Sequence, residues 1–173
     1  MVYTEEIYNK MVERCKSIAS NFIETVAARR APLDPVNNEN DIDEFEVSQD
    51  EILDLFEQFK LAMGLECEIG FFRDNEEEYG RYSEQMDAVS LPLCIGCYNG
   101  RKIVEYMMHE LFHAFQYAAI CEPGSYPCFK EETIKKWDFE FKNYISGDKD
   151  MKNYKAQEIE KSAEEFGKMI SGI

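Results

Sequence analysis

Histidine and positive charge are what this sequence has least of. Its 173 residues include two histidines, and 19 Lys and Arg stand against 35 Asp and Glu, a formal net charge of -16. Such an excess of negative charge repels phosphate backbones. Nucleic acid is therefore excluded as a partner, and a neutral or basic polypeptide suits the field better. No run approaches the roughly 20 apolar residues that span a bilayer. The N-terminus carries acidic side chains where a secretory leader carries basic ones,. The expectation is a cytoplasmic chain with no membrane contact, in which the six cysteines stay reduced,. Cys94 and Cys97 have knuckle spacing, but Cys121 and Cys128 are spaced too widely to complete a zinc ribbon, so a second metal there is the weaker reading. No repeat or low-complexity tract is present. The length suits one domain, residues 1–173, with a helical part over 1–64 and a mixed core over 65–173.

The apolar residues Ile7, Met11, Cys15, Ile18, Phe22 and Val26 recur at helical spacing and predict a helix over 3–29, with Thr4 capping its start,. Prolines and Asn/Asp over 31–43 predict a loop. Ser48 with Glu51 forms a capping box before a second amphipathic helix (Ile52, Leu55, Phe56, Phe59, Leu61) that Gly64 closes,. The period then shortens, and 67–73, 79–83 and 86–94 read as strands, with a solvated acidic turn over 74–78. Pro92 places the third strand near its end or at an edge, because proline cannot donate to a ladder. Asn99 and Gly100 turn the chain into a helix over 101–120 that is apolar nearly all round, hence central to the domain,.

Both histidines lie in that helix, in the word His109-Glu110-Leu111-Phe112-His113. Residues four apart share a helix face, so the two imidazoles can close on one metal ion, and Glu110 is swung aside to where a general base can reach a water. Such polar residues inside an apolar helix are costly without partners. Zinc is the ion that the donor types suggest, and it needs a third protein ligand. No histidine remains, and Gln116 and Ala119 stand where a three-histidine word has glycine and histidine,. The third ligand is then a carboxylate or a cysteine.

The best carboxylate is Glu160, in a helix predicted over 154–170. There Ala156, Ala163 and Gly167 are small and on the same side, so this helix can approach the histidine helix closely. Glu164, one turn on, would accept the second ring N–H of a ligating histidine. The plain alternative makes both glutamates exposed members of an acidic face.

His109-Glu110-Leu111-Phe112-His113 followed by Glu160-Lys161-Ser162-Ala163-Glu164 resembles the gluzincin branch of the zincin metallopeptidases. The spacing Glu160-x-x-Ala163-x-x-Phe166 is similar to small bacterial and phage-associated members that cut repressor proteins. The resemblance covers the chain from about Glu66 onward. It implies an α+β zincin-like domain: a twisted three- to four-stranded sheet, an active-site helix and a C-terminal third-ligand helix, here preceded by extra helices. It further implies Zn2+ on His109, His113 and Glu160, Glu110 as base, Glu164 behind the ligands, and an edge strand (Gly80, Arg81, Tyr82, Ser83) aligning an extended protein or peptide substrate. In this chain the stretch from His113 to Glu160 is longer than in compact members, and residues 121–150 hold the single Trp137.

Thermolysin-like enzymes use a further histidine at the oxyanion, and this chain has none. Tyr154 is the first candidate to replace it and Tyr117 the second, since a phenol can donate to developing charge. The same residues also admit a catalytically silent reading, a metal-bound module that binds or senses a regulatory protein partner. Glu110 favours hydrolysis, because a site that only holds metal needs no base there.

Overall fold

The computed structural model describes residues 2–29, 47–72 and 80–172. Thr4 accepts from the Ile7 amide at 3.3 Å and starts helix α1, Glu5–Arg29. Helix α2, Gln49–Met63, begins with the capping box of Ser48 and Glu51 and ends on Gly64, whose φ of 63° is the left-handed conformation glycine adopts freely,. Ile7 and Leu61, expected on the apolar faces, are exposed. Leu61 precedes the cap on the outer side, and Met63 is buried in its place. The loop over 31–43, the acidic turn over 74–78 and the first residue of the strand over 79–83 lie outside the described residues.

Three strands form one sheet in the order β1-β3-β2: β1 is Glu68–Phe72, β2 Arg81–Ser83 and β3 Ala88–Pro92. β1 runs parallel to β3 and β2 runs antiparallel to it. Among the described residues the sheet has three strands, the lower of the expected numbers. Pro92 is the last residue of the middle strand, so its missing N–H falls where the ladder ends,. Val89 and Leu91 alternate onto the buried face,.

Helix α3, Gly100–Cys121, is capped by the Asn99 side chain, which accepts from the Lys102 amide at 3.0 Å. Its residues Ile103, Val104, Met107, Met108, Leu111 and Phe115 are fully buried, so it is the centre on which the other elements pack. α1 covers it from one side, with the Tyr8 ring 6.2 Å from Phe115; just before α1, the Tyr3 ring meets Phe115 edge-on at 5.0 Å and its hydroxyl donates to the Met63 carbonyl. The helices before residue 65 therefore share one core with the rest.

Residues 121–153, for which the sequence predicts no element, hold helix α4 (Glu131–Lys142) and nearly all of α5 (Gly147–Tyr154). Trp137 anchors α4, its ring 4.9 Å from Phe129 and 6.2 Å from Phe112. Burying an aromatic of this size contributes about 2–3 kcal/mol. Helix α6, Glu158–Ser171, starts four residues later than expected. Tyr154 consequently ends α5, and Ala156 is an exposed turn residue, not part of the small face. The molecule is α+β and mostly helical, and no described helix is long and apolar enough to cross a membrane.

Candidate metal centre

The 3.6-residue period of α3 stacks His109 above His113, and their Nε2 atoms are 3.1 Å apart,. The tautomer of His113 follows from its neighbours. Gln116 Nε2 donates to the Ile159 carbonyl at 3.0 Å and to Ser162 Oγ at 2.8 Å. A carbonyl can only accept, so that end of the amide is the nitrogen, and Gln116 Oε1 faces His113 Nδ1 at 2.8 Å as an acceptor,. Nδ1 carries the hydrogen, and the Nε2 lone pair is left for a cation.

Glu160 completes the group from α6. Its Oε2 is 3.4 Å from His109 Nε2 and its Oε1 3.6 Å from His113 Nε2. Donor atoms about 2.0–2.1 Å from a tetrahedral zinc stand about 3.3–3.4 Å from one another. The 3.1 Å and 3.4 Å separations lie close to that value, and the 3.6 Å one is measured to the other carboxylate oxygen, with one ligand atom from each residue gathered within 4.8 Å of the others. Glu160 is 4 % exposed, yet its Oε2 has no hydrogen-bond partner. A buried carboxylate oxygen without a donor is the expected mark of a place meant for a cation. Burial pushes Glu160 upward, but the two imidazoles outweigh it and hold the carboxyl well below the usual range,. Among the described residues, His109, His113 and Glu160 are the group of donors that could hold a metal ion. Cys94, Cys97, Cys121 and Cys128 are not brought together into a second one.

The reach of so short an arm depends on how closely α6 approaches α3. A Cβ at Gly167 would lie 2.7 Å from the Glu105 carbonyl oxygen, which is α3 backbone and cannot yield. Ala163 is fully buried, and Phe166 stacks on Phe112 at 4.4 Å between ring centres. Of the expected small residues, Ala163 and Gly167 set the approach.

Glu110 is 6 % exposed, and burial raises its pKa above the ordinary carboxylate value, against the pull of His109 and His113. A raised carboxylate is a better proton acceptor near neutrality. The Tyr82 backbone N–H favours its charged form. Gly80 lies against it, since a Cβ there would be 2.8 Å from Glu110 Cγ and 3.0 Å from the Leu91 side chain. Gly80 and the Tyr82 backbone therefore stand at the site. The Arg81 side chain lies over the Phe72 ring at 5.0 Å, and the Tyr82 hydroxyl donates to Asp87 at 2.8 Å, so both side chains turn elsewhere.

Glu164 is exposed and pairs with Lys168 on the outer face of α6. It still feels the His109 charge, which helps hold its carboxyl below the usual range after the Lys168 hydrogen bond, while Gln116 is the residue that faces His113 Nδ1. Tyr117 packs on Phe141 and Tyr82, with Cys121 beside its phenol. Tyr154 does come to the site. Burial first, then the Glu160 charge and a hydrogen bond to it, push its phenol upward. A residue that the sequence reading missed stands with it: the Tyr144 hydroxyl donates to Glu160 Oε1 at 2.7 Å.

Comparison of the chain with profiles of protein families, with curated proteins and with solved structures gave no match.

Proposed function

We propose that this chain is a zinc-dependent peptidase of the gluzincin kind, a zincin-like domain that hydrolyses peptide bonds of a protein or peptide substrate in the cytoplasm. The observation that carries the reading is a base beside a cation site. Glu110, buried with its pKa raised, lies next to three residues whose ligand atoms gather within 4.8 Å of one another. His109, His113 and Glu160 would hold the zinc, which when bound supplies Lewis acidity, polarising a carbonyl and lowering the pKa of water.

The chain's own residues do the rest. Glu110 takes a proton from the attacking water at its carboxylate and delivers it to the leaving amine nitrogen. Tyr154, beside Glu160, is the phenol offered to the oxyanion. The backbone from Gly80 to Tyr82, at the edge of the described sheet and against Glu110, offers an extended substrate a strand to pair with,. Gly80 keeps that approach open, because any side chain there would push Glu110 aside. The strongly acidic chain favours neutral or basic polypeptides over acidic ones,.

The test is cleavage of an unfolded protein such as casein by the purified chain with zinc present. Hydrolysis is expected, lost with a chelator and restored by added zinc. Hydrolysis at the same rate in the presence of chelator would refute the reading.

A further inference from the structure

The two oxygens of Glu160 are not equivalent. Oε1 accepts the Tyr144 hydroxyl at 2.7 Å and lies 3.6 Å from His113 Nε2, whereas Oε2 is buried with no hydrogen-bond partner and faces His109 Nε2 at 3.4 Å. We propose that Tyr144 makes Glu160 a one-oxygen metal ligand, and that Gln157 pins the strap which carries Tyr144 over the site. The inference rests on the metal reading above and assigns the chain a positioning residue for it.

Charge and geometry give the reason. A phenol O–H pointed at one carboxylate oxygen occupies a lone pair and fixes the plane of the group. The other oxygen is then the one presented to the cation. Two imidazoles and one oxygen make three protein donors, the number that leaves a tetrahedral ion one open position for water or substrate. A carboxylate free to turn could bind through both oxygens and fill that position.

The strap is built to hold this contact. Tyr144 lies between α4 and α5, 16 residues before the group it touches. Gln157 is 6 % exposed and stands at the start of α6, yet its side chain does not cap that helix. Its amide instead pairs both ways with the Ile145 backbone, accepting from the Ile145 N–H at 3.0 Å and donating to the Ile145 carbonyl at 2.9 Å. That pairing reproduces a ladder contact and fixes the peptide next to Tyr144. Glu140, from the end of α4, accepts from the Ile159 amide at 2.8 Å and ties the other side of the strap to α6. Tyr154 meets the Tyr144 ring edge-on at 6.3 Å. The Tyr144 side of the contact is half exposed, so losing its hydroxyl leaves the core intact.

The experiment loads wild type, Tyr144→Phe and Gln157→Ala with Co2+ and records the visible absorption and bound cobalt per chain. The wild type is expected to take one ion and show the intense band of a four-coordinate site. Tyr144→Phe is expected to lose most of that intensity as coordination rises to five with cobalt still bound, and Gln157→Ala to lose part of it. An unchanged spectrum in Tyr144→Phe overturns the role of the phenol, and an unchanged spectrum in Gln157→Ala overturns the pinning. A wild-type chain that takes no cobalt overturns the metal reading itself, and this inference with it.

Discussion

Glu110→Gln is expected to lower peptide hydrolysis by about 10²–10⁴-fold while the chain keeps its metal. The substitution preserves shape, so the close contact with Gly80 stays filled, and the amide oxygen can still accept from the Tyr82 backbone. What disappears is the proton affinity that burial gives the carboxylate. Glu110 is not among the three donors, so occupancy does not depend on it. Initial rates and metal content measured on the same preparation check the prediction. A rate within tenfold of wild type, with metal bound, would remove Glu110 as the base and favour a site that binds without turning over.

Glu160→Ala is expected to weaken zinc binding by more than the roughly 10–100-fold that follows loss of an outer hydrogen-bond partner. It removes the one anionic donor and leaves two imidazole nitrogens 3.1 Å apart as the only protein ligands of the group. Ile159, Ala163, Phe166 and Ile170 are buried on the same helix, so α6 stays docked without Glu160. A competition titration against a chromophoric chelator reads the affinity. An affinity within tenfold of wild type would send the third ligand elsewhere.

The site was legible in the sequence where local rules govern it. His109 and His113 face the same way because a helix repeats every 3.6 residues, and that face was fixed once α3 was recognised as buried. Glu160 was reachable because Ala163 and Gly167 advertise a close helix contact. Where a role depends on distant chain, residue type was not enough. Gln116 orients His113 only because Ile159 and Ser162, 43 and 46 residues away, fix its amide. Glu164, nearer in sequence to Glu160, was the more visible candidate and is paired with Lys168. Tyr144 reaches Glu160 by way of a strap with no periodic signature.

The fold divides in the same way. Thr4, Ser48, Gly64 and Asn99 set helix ends through bonds within a few residues, and those ends were foreseen. The start of α6 was misplaced because Gln157 is committed to Ile145, a tertiary contact that stops the helix from extending back to Tyr154. The parallel pairing of β1 with β3 joins strands separated by β2 in sequence, and alternation alone does not choose partners,.

The central claim is that side chains of α3 and α6 together hold one divalent ion. Native mass spectrometry of the wild-type chain, after incubation with excess zinc and gel filtration, tests it most directly. A single zinc adduct per chain, removable by a chelator, is expected. A chain that leaves the column free of metal would contradict it.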